Sequence, residues 1–263
     1  MTDDTAAIQA AVDSGAENIY LPPGIYNYSS LITISTKTRL YGPATLNETV
    51  LLDEGILINA VDNVILEQLT FTGVETLIAW NAGDAAYRQS QKYFVRFYSS
   101  KNSTFRDIAS SGKRGAVRFD SCQKCLANNI RHDGFLGDIS TPVSDANYYA
   151  VINIYGGREH HISSCEGYSV GSVLLIQNEA SYNTVTQITG REVHDNMVYN
   201  SSGNYSAFSN STCENVSGAG LKIRGSAHAI TNNSLVSCNL GISITGNGVT
   251  PDSFGANGFG AGS

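Results

Sequence analysis

The sequence has few charged side chains, and basic side chains are fewer than acidic ones. Lys and Arg contribute 16 residues against 23 Asp and Glu, which gives a formal charge of −7 at pH 7. A surface that binds nucleic acid needs a stripe of Lys and Arg, so this composition argues against a nucleic-acid partner. It does not exclude an acidic glycan that a few local cations hold.

Long apolar runs are also missing. No stretch of 18 apolar residues occurs among the 263, and the first residues lack the pattern of a signal peptide. We therefore expect no insertion into a membrane, and we interpret the first residues as part of a folded domain.

The second half of the chain contains a repeat. Strand-like phrases of Val, Ile, Leu and polar residues begin at Ala116, Ile152, Leu174, Met197, Leu221 and Ile242. From Ile152 onward the steps are 22, 23, 24 and 21 residues, whereas the step from Val117 to Ile152 is 35. A period in the low twenties with one such strand per copy predicts a solenoid.

A second series has the same period, and a polar residue follows each of its members two positions later. The members are Phe105, Leu126, Ile162, Val185, Phe208 and Ile230, and the polar residues are Asp107, Asn128, Ser164, Gln187, Asn210 and Asn232. Such side chains suit tight turns and can bond between copies.

A third short run, clearest at Ser234, gives three strands per coil. The fold class predicted is therefore an all-β, right-handed parallel β-helix; Leu-x-x-Leu-x-Leu repeats and a helical apolar period are both absent.

The five cysteines are an odd number and cannot all pair. Cys165, Cys213 and Cys238 fall at or near the third strand of different coils, which predicts stacked, inward-facing thiols. Cys122 and Cys125 form a Cys-x-x-Cys, but no second pair or neighbouring His completes a zinc site. We therefore predict no metal and no cofactor.

The chain divides into three parts. Residues 1–30 hold a capping helix, predicted over residues 4 to 14 as the only helix, and the first strand; residues 31–246 form the β-helix body, and residues 247–263 form a Gly-rich tail. Ile8 and Val12 lie on one face of the helix, which we interpret as a lid on the open end of the solenoid. The segments 80–98 and 131–149 interrupt the period, and insertions of this kind often border a binding face.

The N-terminal sequence resembles the opening of the pectate-lyase-like superfamily, which includes bacteriophage tailspikes. The resemblance rests on Asp3-Asp4-Thr5-Ala6-Ala7-Ile8-Gln9-Ala10-Ala11-Val12 and on Ile19-Tyr20-Leu21-Pro22-Pro23-Gly24-Ile25-Tyr26. It implies a glycan bound along the first sheet and bordered by loops after the third. It also implies a homotrimer and an extracellular or virion-surface location.

Carried over to this sequence, the resemblance predicts a groove floor of outward residues on the first sheet, namely Arg118, Asp120, Asn153, Tyr155, Lys222 and Arg224. Strand alternation also predicts that Val198 and Asn200 point outward. The acidic loop residues Asp133, Asp138 and Asp145, with His132, are predicted to overhang the floor. Trp80, Tyr148, Tyr149 and Tyr155 are candidates for stacking on sugar rings.

The catalytic residues predicted are Asp120 and Asp133 as the acid and base of a hydrolase, with Asp195 and Arg224 as further candidates. Asp195 lies close to the acidic stripe of Glu192 and Glu214. Hydrolases of this kind place two carboxylates roughly 5 to 9.5 Å apart, one or two coils of a β-helix. No two outward carboxylates of the first sheet share a column.

Three functions are compatible with these features. The first is cleavage of a bacterial surface or extracellular polysaccharide, by hydrolysis more than by a lyase reaction, for which Lys222 and Arg224 would neutralise a uronate. The second is a non-catalytic glycan-binding or structural β-helix, such as an adhesin or virion component. The third, a uronan epimerase, lacks its Asp-Pro-His here.

Overall fold

The computed structural model describes residues 2–83, 90, 92–140, 143, 146 and 149–245. The predicted Gly-rich tail lies outside the described residues, and so do Asp145 and Tyr148.

The described chain is a parallel β-solenoid of about nine coils with three strands per coil. Each strand pairs in parallel with its counterpart one coil away, at steps of 22, 24 and 23 residues from Ile152 to Leu221 and of 35 residues from Val117 to Ile152. The sheet that we call sheet 1 contains β3 (Ile32–Ile34), β6 (Glu54–Asn59), β9 (Tyr93–Tyr98), β11 (Gly115–Asp120), β13 (Ala150–Tyr155), β15 (Ser172–Gln177), β17 (Val198–Asn200), and the ends of β19 (Thr212–Arg224) and β22 (Cys238–Thr245).

Sheets 2 and 3 follow sheet 1 in each coil. Sheet 2 contains β1 (Asn18–Tyr20), β4 (Arg39–Tyr41), β7 (Ile65–Glu67), β18 (Ala207–Ser209), β20 (Ala229–Thr231), and the first halves of β10 (Thr104–Ser111), β12 (Leu126–Asp133), β14 (His161–Val170) and β16 (Thr184–Val193). Sheet 3 contains β2 (Gly24–Tyr28), β5 (Ala44–Glu48), β8 (Thr70–Thr72), β21 (Ser234–Leu235), the second halves of those four long strands and the start of β19.

A single left-handed residue makes the bend between sheets 2 and 3, as the polar series predicts. Positive φ angles occur at Asp107, Asn129, Ser164, Gln187, Asn210 and Asn232. The predicted residue Asn128 is therefore displaced by one position. The side chains form part of a ladder, since Asn129 donates to Asp107 at 2.8 Å and Ser164 donates to Gln187 at 2.9 Å.

The core runs along the axis of the solenoid. Sheet 1 contributes residues predicted to point inward, all fully buried: Val117, Phe119, Ile152, Ile154, Leu174, Ile176, Leu221 and Ile223. Phe97 stacks on Phe119 with 5.1 Å between ring centroids. Because every coil contributes the same positions, the apolar stack is continuous from one coil to the next.

Both long insertions connect sheet 3 to sheet 1. The first lies between β8 and β9 and contains a second helix, α2 (Leu77–Ala82), which the sequence did not predict. Residues 93–98 of the predicted 80–98 segment are strand β9, and residues 131–133 of the 131–149 segment belong to β12.

An aromatic cluster joins the two insertions. Trp80 of the first contacts Phe135 and Tyr149 of the second, with ring centroids 6.3 and 6.4 Å apart. Phe135 stacks on Tyr149 at 5.1 Å. The two insertions therefore pack as one unit beside sheet 1.

The N-terminal helix α1 (Thr5–Asp13) lies against the first coil. Ile8 and Val12 are buried, as predicted. The Gln9 side chain donates to the Thr33 carbonyl at 3.0 Å and accepts from the Thr33 N–H at 2.8 Å. Its amide thus continues the hydrogen bonding of β3 at the edge of sheet 1. No helix of the described residues is long and apolar enough to cross a bilayer.

The cysteines differ in part from the prediction of stacked thiols. Cys165 is a buried free thiol, but Cys213 and Cys238 form a disulfide between the last coils. Cys122 and Cys125 are buried free thiols. The Cys125 N–H donates to Nδ1 of His160 on the next coil at 3.3 Å.

Candidate functional site

The outer face of sheet 1 presents two columns of side chains. The register aligns Leu57, Arg96, Arg118, Asn153, Leu175, Tyr199, Lys222 and Ser243 in one column, and Asn59, Tyr98, Asp120, Tyr155 and Gln177 in the other. Five of the six residues predicted as groove floor thus take places in these columns, and Arg224 lies on the same face beside Lys222. Neighbouring members are about 4.8 Å apart along the axis.

Asp120 is held between two arginines. Its Oδ2 accepts hydrogen bonds from Arg96 at 2.6 Å and from Arg118 at 3.1 Å, and its side chain is 8% exposed. Arg118 in turn lies over the Tyr155 ring, with 4.6 Å from Cζ to the centroid. The predicted acid or base is therefore part of an ion-pair cluster that positions the two guanidinium groups.

Asn153 lies beside this cluster and is fully buried. Its amide donates to the Tyr93 hydroxyl at 3.1 Å and to the Gln177 side chain at 3.3 Å. Asn153 Oδ1 and Arg118 Nε have no partner among the described residues. This end of the face is rich in polar groups but has little open surface.

Four residues predicted to border the groove lie elsewhere. His132 points into the core, where it bonds to Ser110 at 2.8 Å and to Tyr149 at 2.7 Å. Asp133 is exposed on sheet 3, near Arg131. Trp80 and Tyr149 are fully buried in the aromatic cluster and present no ring face to a ligand. Strand alternation explains both β12 residues, because the strand continues to Asp133.

An open cleft lies farther along sheet 1, where the second insertion approaches it. The cleft has a volume of about 410 Å³ and is lined by Val143, Ala146, His194, Asp195, Tyr199 and Lys222. Lys222 Nζ lies 4.8 Å and Arg224 Cζ 5.5 Å from the Tyr199 ring centroid. A carboxyl, two cations and a tyrosine therefore meet at this point.

Asp195 is fixed by the coils on both sides. Its N–H donates to the Gly171 carbonyl at 2.9 Å, and its own carbonyl accepts from the Gly218 N–H at 2.8 Å. Burial raises the pKa of the Asp195 carboxyl, and this effect exceeds the lowering by the Asn196 side chain and by the Lys222 charge. A carboxyl with a raised pKa is suited to donate a proton.

The wall of the cleft is anchored to sheet 3. Glu192 Oε2 accepts from the Ile139 N–H at 3.0 Å, and His194 Nε2 bonds to the Gly137 carbonyl at 3.1 Å. Glu192 Oε1 also accepts from Asn215 at 2.6 Å. Glu192, predicted as part of an acidic edge, therefore holds the second insertion in place.

Tyr199 and His194 were not predicted as site residues. The prediction that Val198 and Asn200 point outward is wrong, because β17 aligns Val198 with Leu174 and Leu221 in the core. Asn200 is buried, and its amide bonds to the Gly203 and Arg224 carbonyls. Because Asn200 is polar but points inward, the alternation of apolar and polar residues predicts the wrong orientation for this strand.

The described part of the cleft offers one carboxyl, that of Asp195, for proton transfer. No group of three or more His, Cys, Asp or Glu in the described residues is arranged to hold a metal ion. The chemistry available there is proton donation by Asp195, charge neutralisation by Lys222 and Arg224, and contact with the Tyr199 ring.

Solved structures similar to this chain share its coil architecture. An endo-xylogalacturonan hydrolase from Aspergillus tubingensis aligns with a TM-score of 0.73 at 13% identity, over 95% of this chain and 76% of that one. The chain has the parallel β-helix fold that these solved structures share. The catalytic domain of a GH87 α-1,3-glucanase in complex with nigerose aligns with a TM-score of 0.60 at 14% identity, over 89% of this chain. This chain spans 44% of that glucanase structure.

The parallel β-helix fold of this chain also occurs in a protein that is not described as an enzyme. PfbA, a surface adhesin of Streptococcus pneumoniae, aligns with a TM-score of 0.50 at 12% identity, over 94% of this chain and 77% of that one. No protein-family model matches the sequence, and no curated protein matches it. At these identities the likeness establishes the fold, and function has to be argued from the site.

Proposed function

We propose that this chain binds a polysaccharide along the outer face of sheet 1 and hydrolyses it at the cleft, with Asp195 as the general acid. The observation that supports this most is the Asp195 carboxyl itself. It lies in a cleft across the sheet, its pKa is raised by burial, and its main chain is fixed by two neighbouring coils. The Asp195 carboxyl can donate its proton to the oxygen of a glycosidic bond as that bond breaks, and a water molecule that adds to the anomeric carbon returns a proton to the carboxylate.

The surrounding residues have distinct roles in this proposal. Tyr199 offers an apolar surface to a sugar ring, while Lys222 and Arg224 bind polar or acidic groups of the glycan. Farther along the face, Arg118 and Tyr155 extend the floor away from the cleft. Between Arg118 and Lys222 lie four coil steps, or about 19 Å, which gives room for several sugar units.

The test of this proposal uses the purified chain and a panel of polysaccharides that includes xylogalacturonan, α-1,3-glucan and bacterial surface polysaccharides. Reducing ends and ultraviolet-absorbing unsaturated ends are followed together. Hydrolysis gives new reducing ends without unsaturation, and we expect Asp195→Asn to lose on the order of 10²-fold or more of that activity. Asp133→Asn is the matched control, since Asp133 is exposed on sheet 3, and it keeps full activity.

Two results would contradict the hydrolase proposal. Unsaturated ends would assign the chain to the lyases, with Lys222 and Arg224 neutralising a uronate carboxylate. Full activity in Asp195→Asn would remove the proposed acid.

A non-catalytic glycan-binding function is the second candidate. It is favoured by one observation, that the described lining of the cleft includes a single carboxyl. Saturable binding of a glycan without any cleavage would support this candidate over the enzyme. That binding should be lost in each of the single variants Tyr199→Ala and Lys222→Ala.

We further propose that the chain belongs to a tailspike-type protein that acts outside the cell or on a virion surface and assembles as a homotrimer. The resemblance of residues 3–26 to that group supports this proposal. Sedimentation equilibrium of the purified chain measures the assembly directly, and a monomer at all concentrations would contradict the trimer.

A further inference from the structure

Two exposed tyrosines form a parallel stack at the turn between sheets 1 and 2, away from the lining of the cleft. The Tyr182 and Tyr205 rings are 5.0 Å apart between centroids and inclined by only 7°. Each residue is 55% exposed, so neither ring is part of the core.

The two rings occupy the same position in successive coils. The Tyr182 N–H donates to the Asn204 carbonyl at 3.0 Å, and the Tyr205 N–H donates to the Ser226 carbonyl at 3.1 Å. The next position in this column is therefore Ala227, whose side chain is a methyl group. Tyr182 covers one face of the Tyr205 ring, and no ring from the next coil covers the other.

The backbone at both tyrosines is strained. Their φ angles are +58° and +53°, in the left-handed region where a bulky aromatic residue is an outlier. Gly or Asn would adopt this conformation readily. The same angle recurs in this column at Lys124, Glu159 and Ala227, so the turn imposes it on whichever residue the coil places there.

The size and surroundings of the stack indicate a small, flat occupant. Two half-exposed rings fall far short of the roughly 800 Å² per partner of a stable protein interface. The coil spacing of about 4.8 Å would instead seat one more flat ring on Tyr205. Asn204 and Ser226, which bond to each other at 2.8 Å, border this position and can bond hydroxyl groups. The flanking column positions, Tyr182 and Ala227, carry no charge.

We propose that Tyr182 and Tyr205 form a saccharide-binding site, separate from the cleft, in which the apolar face of an uncharged pyranose ring stacks on Tyr205. The site does not depend on cleavage at the cleft. It would hold a glycan to the protein at a second point, beyond the end of the sheet 1 strands.

The test titrates gluco-, galacto- and mannohexaose into the Asp195→Asn protein and follows the Tyr205 ring resonances by NMR. We expect at least one hexaose to shift these resonances in a saturable way. Tyr205→Asn, which suits the left-handed backbone, should bind that sugar about 3- to 10-fold more weakly. Its melting temperature should stay unchanged or rise, because the strain is relieved.

Tyr168→Thr is the matched control, since Tyr168 is 46% exposed on sheet 3 and its change should leave binding unaltered. Shifts of the Tyr205 resonances by none of the three sugars, or equal binding by Tyr205→Asn, would overturn the proposal. A melting temperature that falls in Tyr205→Asn would assign the stack a structural role instead. Tyr205 shifts in the Asp195→Asn protein, together with no cleavage of any polysaccharide by the unsubstituted chain, would count against the cleft function alone.

Discussion

At Asp195, burial and a nearby ammonium group act in opposite directions on one carboxyl. The raised pKa means that burial outweighs Lys222, so the ionised carboxylate is less stable in the folded protein than in the unfolded chain. The raised pKa of Asp195 therefore comes at a cost in stability wherever the carboxyl is ionised.

This balance predicts the effect of Asp195→Asn on stability. A group with a raised folded pKa contributes stability below its unfolded pKa, and that contribution is lost as pH rises through the folded pKa. The variant should therefore be more stable than the wild type at pH 7, and the difference should disappear at acidic pH. Urea unfolding at both pH values measures this, and a variant less stable at pH 7 would show that the carboxylate stabilises the fold.

The buried His132 should make the folded protein less stable in acid. Burial lowers its pKa to about 3 from an ordinary 6.5, so the unfolded chain binds the proton more readily between these values. Its contribution to stability is complete above pH 6.5 and falls as pH drops toward 3, by about 4 kcal/mol at the lower end.

The corresponding measurement is the free energy of unfolding from pH 7 to pH 4 in the wild type and in His132→Gln. The slope with pH should be smaller in the variant. His161→Gln, at an exposed histidine, should leave the slope as it is. Equal slopes in all three proteins would mean that other groups cause the acid sensitivity.

Residue-level prediction from the sequence failed where a side chain broke the alternation of its strand. Asn200 is polar and points inward because the carbonyls of Gly203 and Arg224 accept hydrogen bonds from its amide. Asp120 is outward as predicted, but of its two arginine partners only Arg118 is near it in sequence, and Arg96 is brought to it by the register between coils. Composition and spacing carry no information on such pairings.

At the scale of elements, α1 acts through one side chain on a strand edge. Gln9 satisfies both the N–H and the carbonyl of Thr33 in β3, which has no coil before it to pair with. Gln9→Ala should lower the free energy of unfolding by about 1 to 3 kcal/mol, because two hydrogen bonds are lost at a partly buried edge.

Gln9→Glu separates the hydrogen bond that Gln9 donates to Thr33 from the one that it accepts. A carboxylate still accepts from the Thr33 N–H but cannot donate to its carbonyl, so its effect should lie between wild type and Gln9→Ala. Thermal unfolding followed by circular dichroism is sufficient for the comparison. If Glu and Ala were equally destabilising, the donor rather than the acceptor would carry the interaction.

The strands were the most predictable elements. Their apolar phrases recur because each coil fills the same positions of a shared core, so the repeat predicted three strands per coil and the turn residues. The insertions were not predictable in the same way. Helix α2 follows no repeat, and its Trp80 packs against residues more than 50 positions away.

At the scale of the whole molecule, the coils form a stack in which each contacts its neighbours. Stability in such a stack is approximately a sum over coils and their interfaces, so the ends open first. The Cys213–Cys238 disulfide joins the last coils across 25 residues. In the chain-entropy account, a disulfide that closes a loop of this length adds about 3 kcal/mol to the free energy of unfolding.

Reduction of this bond, or the Cys213→Ser, Cys238→Ser double variant, should therefore free the C-terminal coils to open locally. Hydrogen exchange followed by mass spectrometry should show faster exchange in β20 and β22, with β11 and β13 unchanged as the internal control. Faster exchange along the whole chain would mean that the solenoid unfolds as one cooperative unit.

The aromatic cluster also gives this protein a built-in optical probe. Trp80 is the sole tryptophan of the sequence. It lies in the first insertion, where it is fully buried against the second insertion, which belongs to a different coil. Its fluorescence reports on the docking of these insertions, whereas the far-ultraviolet signal of the strands reports on the solenoid. The two signals can be followed in one sample without any label, which separates motion beside sheet 1 from melting of the scaffold.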